Sequence, residues 1–179
     1  MTTDQVISLW DAETIHNKVQ ALGQQLEEDF KGSDPLILSL LGGSLIFVAD
    51  LIRAIKQPVR FEFVQVQYSP GGLDGEVRDI HYPMPLNIDD QRLVVIKDVS
   101  ASGVPESYLA DQFLQHGARD VEFAVLIDIP SERKTDFQAD YSCFSVERQG
   151  LFVGYGLKHG GQYGNLPYLG RIADRVGGI

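Results

Sequence analysis

The residues best placed to do chemistry lie in one short run, Lys97-Asp98-Val99-Ser100-Ala101-Ser102-Gly103, which is small and polar. Leu93-Val94-Val95-Ile96 precedes it, an apolar run rich in β-branched residues that suits a strand covered on both faces. Pro105 follows where a first helical turn accepts it, and Glu106 stands beside the positive end of the helix dipole. Tyr108, Leu109, Phe113 and Leu114 make an apolar helix face, and Gly117 stops it. A strand, tight turn and helix in this order aim backbone N–H groups at one point, which makes a phosphate cradle. The same pattern also serves as a plain connection, and local pattern alone favours that plainer use.

Other reactive side chains carry less. His16, His81, His116 and His159 show no metal-ligand spacing; His16 lies on a helix, and His116 at a helix end, where capping roles are common. His159 adjoins Lys158 in the expected cleft. Cys143 is the single cysteine, so no intrachain disulfide is available, and its alternating strand-like surroundings predict a buried structural thiol. Asp89-Asp90 reads as turn chemistry, and Trp10 and Tyr68 as packing residues.

The elements that position the turn follow from periodicity. Leu9 to Phe30 is predicted helical, with Asp11 as N-cap and Ile15, Val19, Leu22 and Leu26 at helical spacing. Leu36 to Leu41 is a buried strand, Gly42-Gly43-Ser44 turns the chain, and Leu45 to Ile55 is a second helix. Val59 to Tyr68 alternates as a strand, 69–74 is turn chemistry, and 76–82 returns as a hairpin partner. Val121 to Ile127, Tyr141 to Val146 and Leu151 to Tyr155 are further strands, joined by a polar connector at 130–134. Lys158 to Leu169 is glycine-rich and expected to be irregular. Alternating strands and helices predict an α/β fold with a mostly parallel central sheet. Ligands in such sheets sit beyond the carboxyl ends of the strands. Three turns fall there, at 41–44, 98–103 and after Ile127, and they should converge on one cleft.

The 179 residues suffice for a single domain, and 44% hydrophobic with 22% charged residues is the composition of a globular protein. A net charge of −10 argues against nucleic-acid and anionic-membrane partners, which need a basic face, but leaves room for a small anionic ligand. No apolar run approaches the roughly 20 residues of a membrane span, and no secretion signal precedes the first helix. With one cysteine, this predicts a cytoplasmic protein.

Four segments together resemble the hypoxanthine-guanine phosphoribosyltransferases of purine salvage. LILSLLGGSLIFVADLI (36–52) resembles that family's pyrophosphate loop, and FEFVQVQYSPGGLDGEVR (61–78) its flexible loop with flanking strands. LVVIKDVSASGVPESYL (93–109) resembles its phosphoribosyl-pyrophosphate signature, and FVGYGLKHGGQYGNLPYLG (152–170) its C-terminal segment. The resemblance implies a type I phosphoribosyltransferase fold spanning 1–179, with a core over about 34–147 and a small irregular hood from 1–12 and 148–179. It also implies a homodimer or homotetramer, and transfer of phosphoribose from phosphoribosyl pyrophosphate to a 6-oxopurine, with Mg²⁺ if the chain is active.

Carried over residue by residue, the resemblance assigns the phosphate and ribose site to Asp98, Ser100, Ala101, Ser102, Gly103 and Val104, with the Ser102 hydroxyl toward the 5′-phosphate. The pyrophosphate-loop position falls on Leu41, Gly42 and Gly43, and the purine pocket on Ile129, Leu151 and Phe152. Several positions depart from the pattern. The first acid of the ribose-holding pair is Lys97, the proton-transferring aspartate is Ala101, and a second threonine is Pro105. The lysine of the pyrophosphate loop is Leu41, the lysine that reads the 6-oxo group is Ile129, the magnesium aspartate is Lys158, and a pyrophosphate-binding arginine is Gly164. Losing one donor of this kind costs about 3–4 kcal/mol of transition-state stabilisation. The expectation is therefore a non-catalytic or strongly impaired protein that binds a nucleotide monophosphate or phosphoribosyl pyrophosphate, without a metal of its own. Lys97 and Lys158 would stand as cations in place of magnesium. The alternative is an active purine phosphoribosyltransferase with an altered site.

Overall fold

The computed structural model describes residues 5–68, 77–81, 86–147 and 150–173. Its body is a six-stranded sheet. Strand β2 (Leu36–Leu40) leads to helix α2 (Leu45–Ala54), then to β3 (Arg60–Tyr68) and β4 (Val77–His81). β5 (Arg92–Ser100), helix α3 (Val104–Gln115), β6 (Asp120–Asp128) and β7 (Tyr141–Ser145) complete it. Helix α1 (Ala12–Asp29) precedes β2. The strand order is β4-β3-β2-β5-β6-β7. β3, β2, β5, β6 and β7 run parallel, and β4 pairs antiparallel to β3 at one edge. The result is a mostly parallel sheet with helices on both faces, the arrangement the resemblance leads one to expect.

Alternation along β5 shows why the sheet is covered twice. Val94 and Ile96 join the core beneath α1 and α2, with Leu22, Leu26, Phe47 and Leu51. Leu93 and Val95 join the core beneath α3, with Leu109, Phe113 and Phe123. Every residue of β2 is buried, as a central strand of a parallel sheet requires. α1 starts where its cap predicts: the Asp11 side chain accepts from the Thr14 N–H at 2.8 Å, which holds that carboxyl below its ordinary value. α1 and α2 cross closely at Gly23, where any side chain would run into Ala54.

A second, three-stranded antiparallel sheet is built from β1 (Val6–Trp10), β8 (Phe152–Val153) and β9 (Leu169–Ile172), in the order β1-β9-β8. Val6 pairs with Ile172 and Phe152 with Arg171, so the two ends of the chain meet. The Trp10 ring stacks on Phe144 of β7, centroids 4.2 Å apart, and fastens this sheet to the body. Sequence periodicity begins the first helix at Leu9, and β1, which carries Val6–Trp10 as a strand, corrects this; 158–168 is irregular as expected, and Leu169 opens β9. Neither strand alternates cleanly, because each is defined by a partner at the far end of the chain. The expected turn at 69–74 lies outside the described residues.

Candidate active site

β2 and β5 pair in parallel with Ser39 opposite Ile96, and β5 runs on to Ser100, so Asp98 lies on the strand's extension, on the same rim of the sheet as the turn after β2. Between that rim and the segment after residue 150 lies a cleft of about 260 Å³ lined by Gly43, Asp98, Leu151, Phe152 and Lys158, with Leu157 beside them. Three of the four resembling segments thus contribute to one concavity. Leu41 and Gly42 are exposed beside it. Asp98 is held by its own neighbour: one carboxylate oxygen accepts from the Val99 N–H at 2.8 Å. The other lies against Gly43, where a Cβ would collide with both Asp98 and Leu157. Gly43 is therefore required by close approach. Tyr155 anchors the far wall by donating its hydroxyl to Asp50 of α2 at 2.6 Å. Burial, then that bond, pushes its phenol well above the ordinary tyrosine range.

The turn after β5 is buried at Ser100, Ala101, Ser102 and Gly103. A strap from 129 to 137 lies across it. The Ile129 N–H donates to the Ser100 carbonyl at 2.9 Å, and the Lys134 N–H to the Ser102 carbonyl at 2.8 Å. The Arg133 guanidinium donates to the Ala101 carbonyl, the Asp128 carboxylate and, at 3.1 Å, the Phe137 carbonyl. It also stacks over the Phe137 ring at 5.1 Å. Gly103 adopts φ +75° with Thr135 and Phe137 so close that a side chain has no place. The Ser102 hydroxyl accepts from the Val104 N–H at 3.4 Å, just ahead of α3, whose N-cap is Gly103. Ala101 packs among Ile127 and Ile129, so position 101 offers no proton acceptor. A wider hollow of about 410 Å³ borders the strap at Asp128, Arg133, Thr135 and Asp136.

Lys97 is placed differently from its expectation. The alternation of Leu93 and Val95 carries it to the α3 side of the sheet, where its ammonium meets Glu106 Oε1 at 2.6 Å. The two side chains are 6% and 1% exposed. Lys97 is spent on a buried ion pair that joins β5 to the first turn of α3, and it does not offer its charge to a ligand in the cleft. Ile129 is fully buried in the core and is not among the residues that line the cleft. Leu151 and Phe152 do line the cleft, Leu151 as an exposed shelf and Phe152 buried behind it.

A model of the phosphoribosyl transferase domain matches residues 9–159 of the chain. The hypoxanthine-guanine phosphoribosyltransferase of Streptococcus thermophilus is 35% identical over 170 residues, 94% of this chain and 93% of that one. The chain belongs to this family. A crystal structure of the Bacillus anthracis hypoxanthine-guanine phosphoribosyltransferase is 31% identical, covers 96% of this chain and 100% of its own, and superposes with a TM-score of 0.84. A Staphylococcus aureus hypoxanthine phosphoribosyltransferase is 29% identical, with 93% and 91% covered and a TM-score of 0.85.

Within this family the donor set of the cleft can be tested against magnesium. Asp98 is the single carboxylate among the lining residues, and the Lys158 ammonium shares the same wall. No group of three or more His, Cys, Asp or Glu able to hold a metal occurs among the described residues. Magnesium in such a site would take one carboxylate, Asp98, with its remaining oxygens from a ligand's phosphates and water, and the Lys158 ammonium on the same wall opposes it. Two roles escaped the sequence reading, which placed Glu106 only beside the helix dipole and gave Arg133 no part. Glu106 sits on the α3 stripe of Glu106, Leu109 and Phe113, a helical spacing that marks it as buried and in need of a cation. Arg133 carried no such signal, because the partner that ties it to the turn, the Ala101 carbonyl, is far away in the chain.

Proposed function

We propose that this protein is a purine phosphoribosyltransferase with an altered site, one that holds a phosphoribosyl ligand in the cleft and transfers it slowly. The observation that carries this reading is the convergence of Gly43, Asp98, Leu151, Phe152 and Lys158 on one cleft at the strand ends. The Asp98 carboxylate is suited to accept from a vicinal pair of ribose hydroxyls. The buried turn at 100–104, at the N-terminus of α3, suits the 5′-phosphate, and Leu151 with Phe152 gives a flat apolar shelf for a base. The relatives' names favour a working transferase over the expected non-catalytic protein. The apolar surroundings of Ala101 favour a weak one, since proton transfer by a placed side chain contributes about 10²–10⁴-fold.

The chain's own residues account for binding, orientation and water exclusion, and no proton is held at position 101. Steady-state assay with phosphoribosyl pyrophosphate, Mg²⁺ and hypoxanthine, guanine or xanthine tests the reading. Turnover is expected below the roughly 1–10³ s⁻¹ of ordinary enzymes. Turnover within that range would show that another group replaces the missing base. A second reading, a nucleotide-binding protein without transfer, is favoured by Ile129, whose side chain is withdrawn into the core. Ligand binding with no detectable product would establish it. We also place the protein in the cytoplasm as a homo-oligomer, on the family resemblance and the single buried thiol; sedimentation tests the oligomer.

A further inference from the structure

We propose that Lys158 and Gly164 form one metal-free anion seat, in which the Lys158 ammonium neutralises a phosphate or pyrophosphate group beside Asp98. The inference rests on the reading of the cleft as a phosphoribosyl site and names how the anionic end is held. Lys158 lines the cleft with Asp98 and Gly43, and it makes no ion pair among the described residues. Its stem lies across Gly164: a Cβ at that position would come within 2.7 Å of Lys158 Cγ and 3.4 Å of Cδ. The backbone there is fixed, because the Gly164 carbonyl accepts from the Gly156 N–H at 3.0 Å. Gly156 in turn packs on the Gly43 carbonyl, on the opposite wall of the cleft. Any side chain at 164 would push the lysine stem off this path. The departures at 158 and 164 are thus one change: a cation stands at 158, and the side chain at 164 is cut back so that the stem fits.

Electrostatics gives the seat its sign. A divalent ion in this cleft would find one carboxylate and face an ammonium, whereas a phosphate oxygen would meet a compact positive charge whose stem Gly164 leaves room for. Lys97 takes no part, being paired with Glu106 on the other side of the sheet.

Calorimetric titration of the full chain with inorganic pyrophosphate and with inosine monophosphate, first in excess magnesium and then with a chelator, tests the proposal. At least one of the two is expected to bind as tightly with chelator as with magnesium. Lys158→Met is expected to weaken that anion about tenfold, the scale of one charge-assisted contact. Gly164→Ala adds one methyl group at a position without positive φ; it is expected to weaken the same anion with an unchanged circular-dichroism spectrum and melting curve. A loss confined to pyrophosphate assigns the seat to the leaving group, and one confined to inosine monophosphate assigns it to the nucleotide phosphate. The double variant Lys158→Asp/Gly164→Arg is expected to make binding depend on magnesium. Strict magnesium dependence of the unaltered protein, or full affinity in Lys158→Met, would overturn the seat and leave the phosphoribosyl reading standing. No binding of either probe would overturn both.

Discussion

Lys97 and Glu106 set the clearest residue-scale test, because a buried pair is costly to break and cheap to replace whole. Lys97→Met strands a carboxylate that is 1% exposed, and the expected loss is about 3–5 kcal/mol in urea unfolding. Lys97→Met with Glu106→Leu should recover most of it. Lys97→Glu, the change that restores the family's acid, would set two buried carboxylates against each other and should be at least as damaging as Lys97→Met. Equal stability of all three would show that the pair does not bridge β5 and α3. Cys143 supplies a second test. Burial pushes its thiol up to about 12, against the smaller opposing pull of Lys18, so the native protein presents almost no thiolate at pH 8. Its reaction with a thiol reagent should follow the rate of unfolding and not the reagent's intrinsic rate. The sign for stability follows from linkage. The unfolded thiol ionises from about pH 9 while the folded one stays neutral, so stability is full below that pH and falls above it. The buried phenols of Tyr141 and Tyr155 shift in the same direction. Urea midpoints at pH 7.5 and 10 should separate accordingly.

Among the elements, the turn between β5 and α3 depends on the strap at 129–137 as much as on its own residues. Gly103→Ala forces a side chain into φ +75° and against Thr135 and Phe137. It should cost about 1–3 kcal/mol and loosen the strap, read as faster amide exchange at Lys134, whose N–H donates to Ser102. Unchanged exchange there would separate turn from strap. The turn, both flanking elements and the glycine were legible in sequence, because each is specified by residues adjacent in the chain. The strap was not, since its bonds run from Arg133 and two backbone N–H groups to carbonyls at the end of β5 and in the turn after it. Lys97 was misplaced for a related reason. A resemblance carries over what stands at a position, while the side to which a lysine turns depends on Glu106 across the sheet. Lys158 and Gly164 were read as two separate losses, and only their packing joins them.

At the scale of the molecule, the body is a parallel sheet whose central strands are specified by local apolar runs, while the cleft needs a second sheet closed by both ends of the chain. Removal of residues 1–10 would take away β1 and the stack of Trp10 on Phe144. The body should still unfold cooperatively, and pyrophosphate and inosine monophosphate should bind weakly, because the wall carrying Leu151 and Lys158 has lost its brace. Full affinity in that truncated chain would remove the small sheet from the site. The pairing of Val6 with Ile172 also imposes an order in time. A ribosome adding about 5–20 residues per second needs roughly ten to thirty seconds to pass from the first strand to its partner. For that interval β1 has no sheet to join, although β2 to β7 can already assemble behind it. The wall of the cleft therefore cannot be braced until the last strand has been made, however early the body assembles.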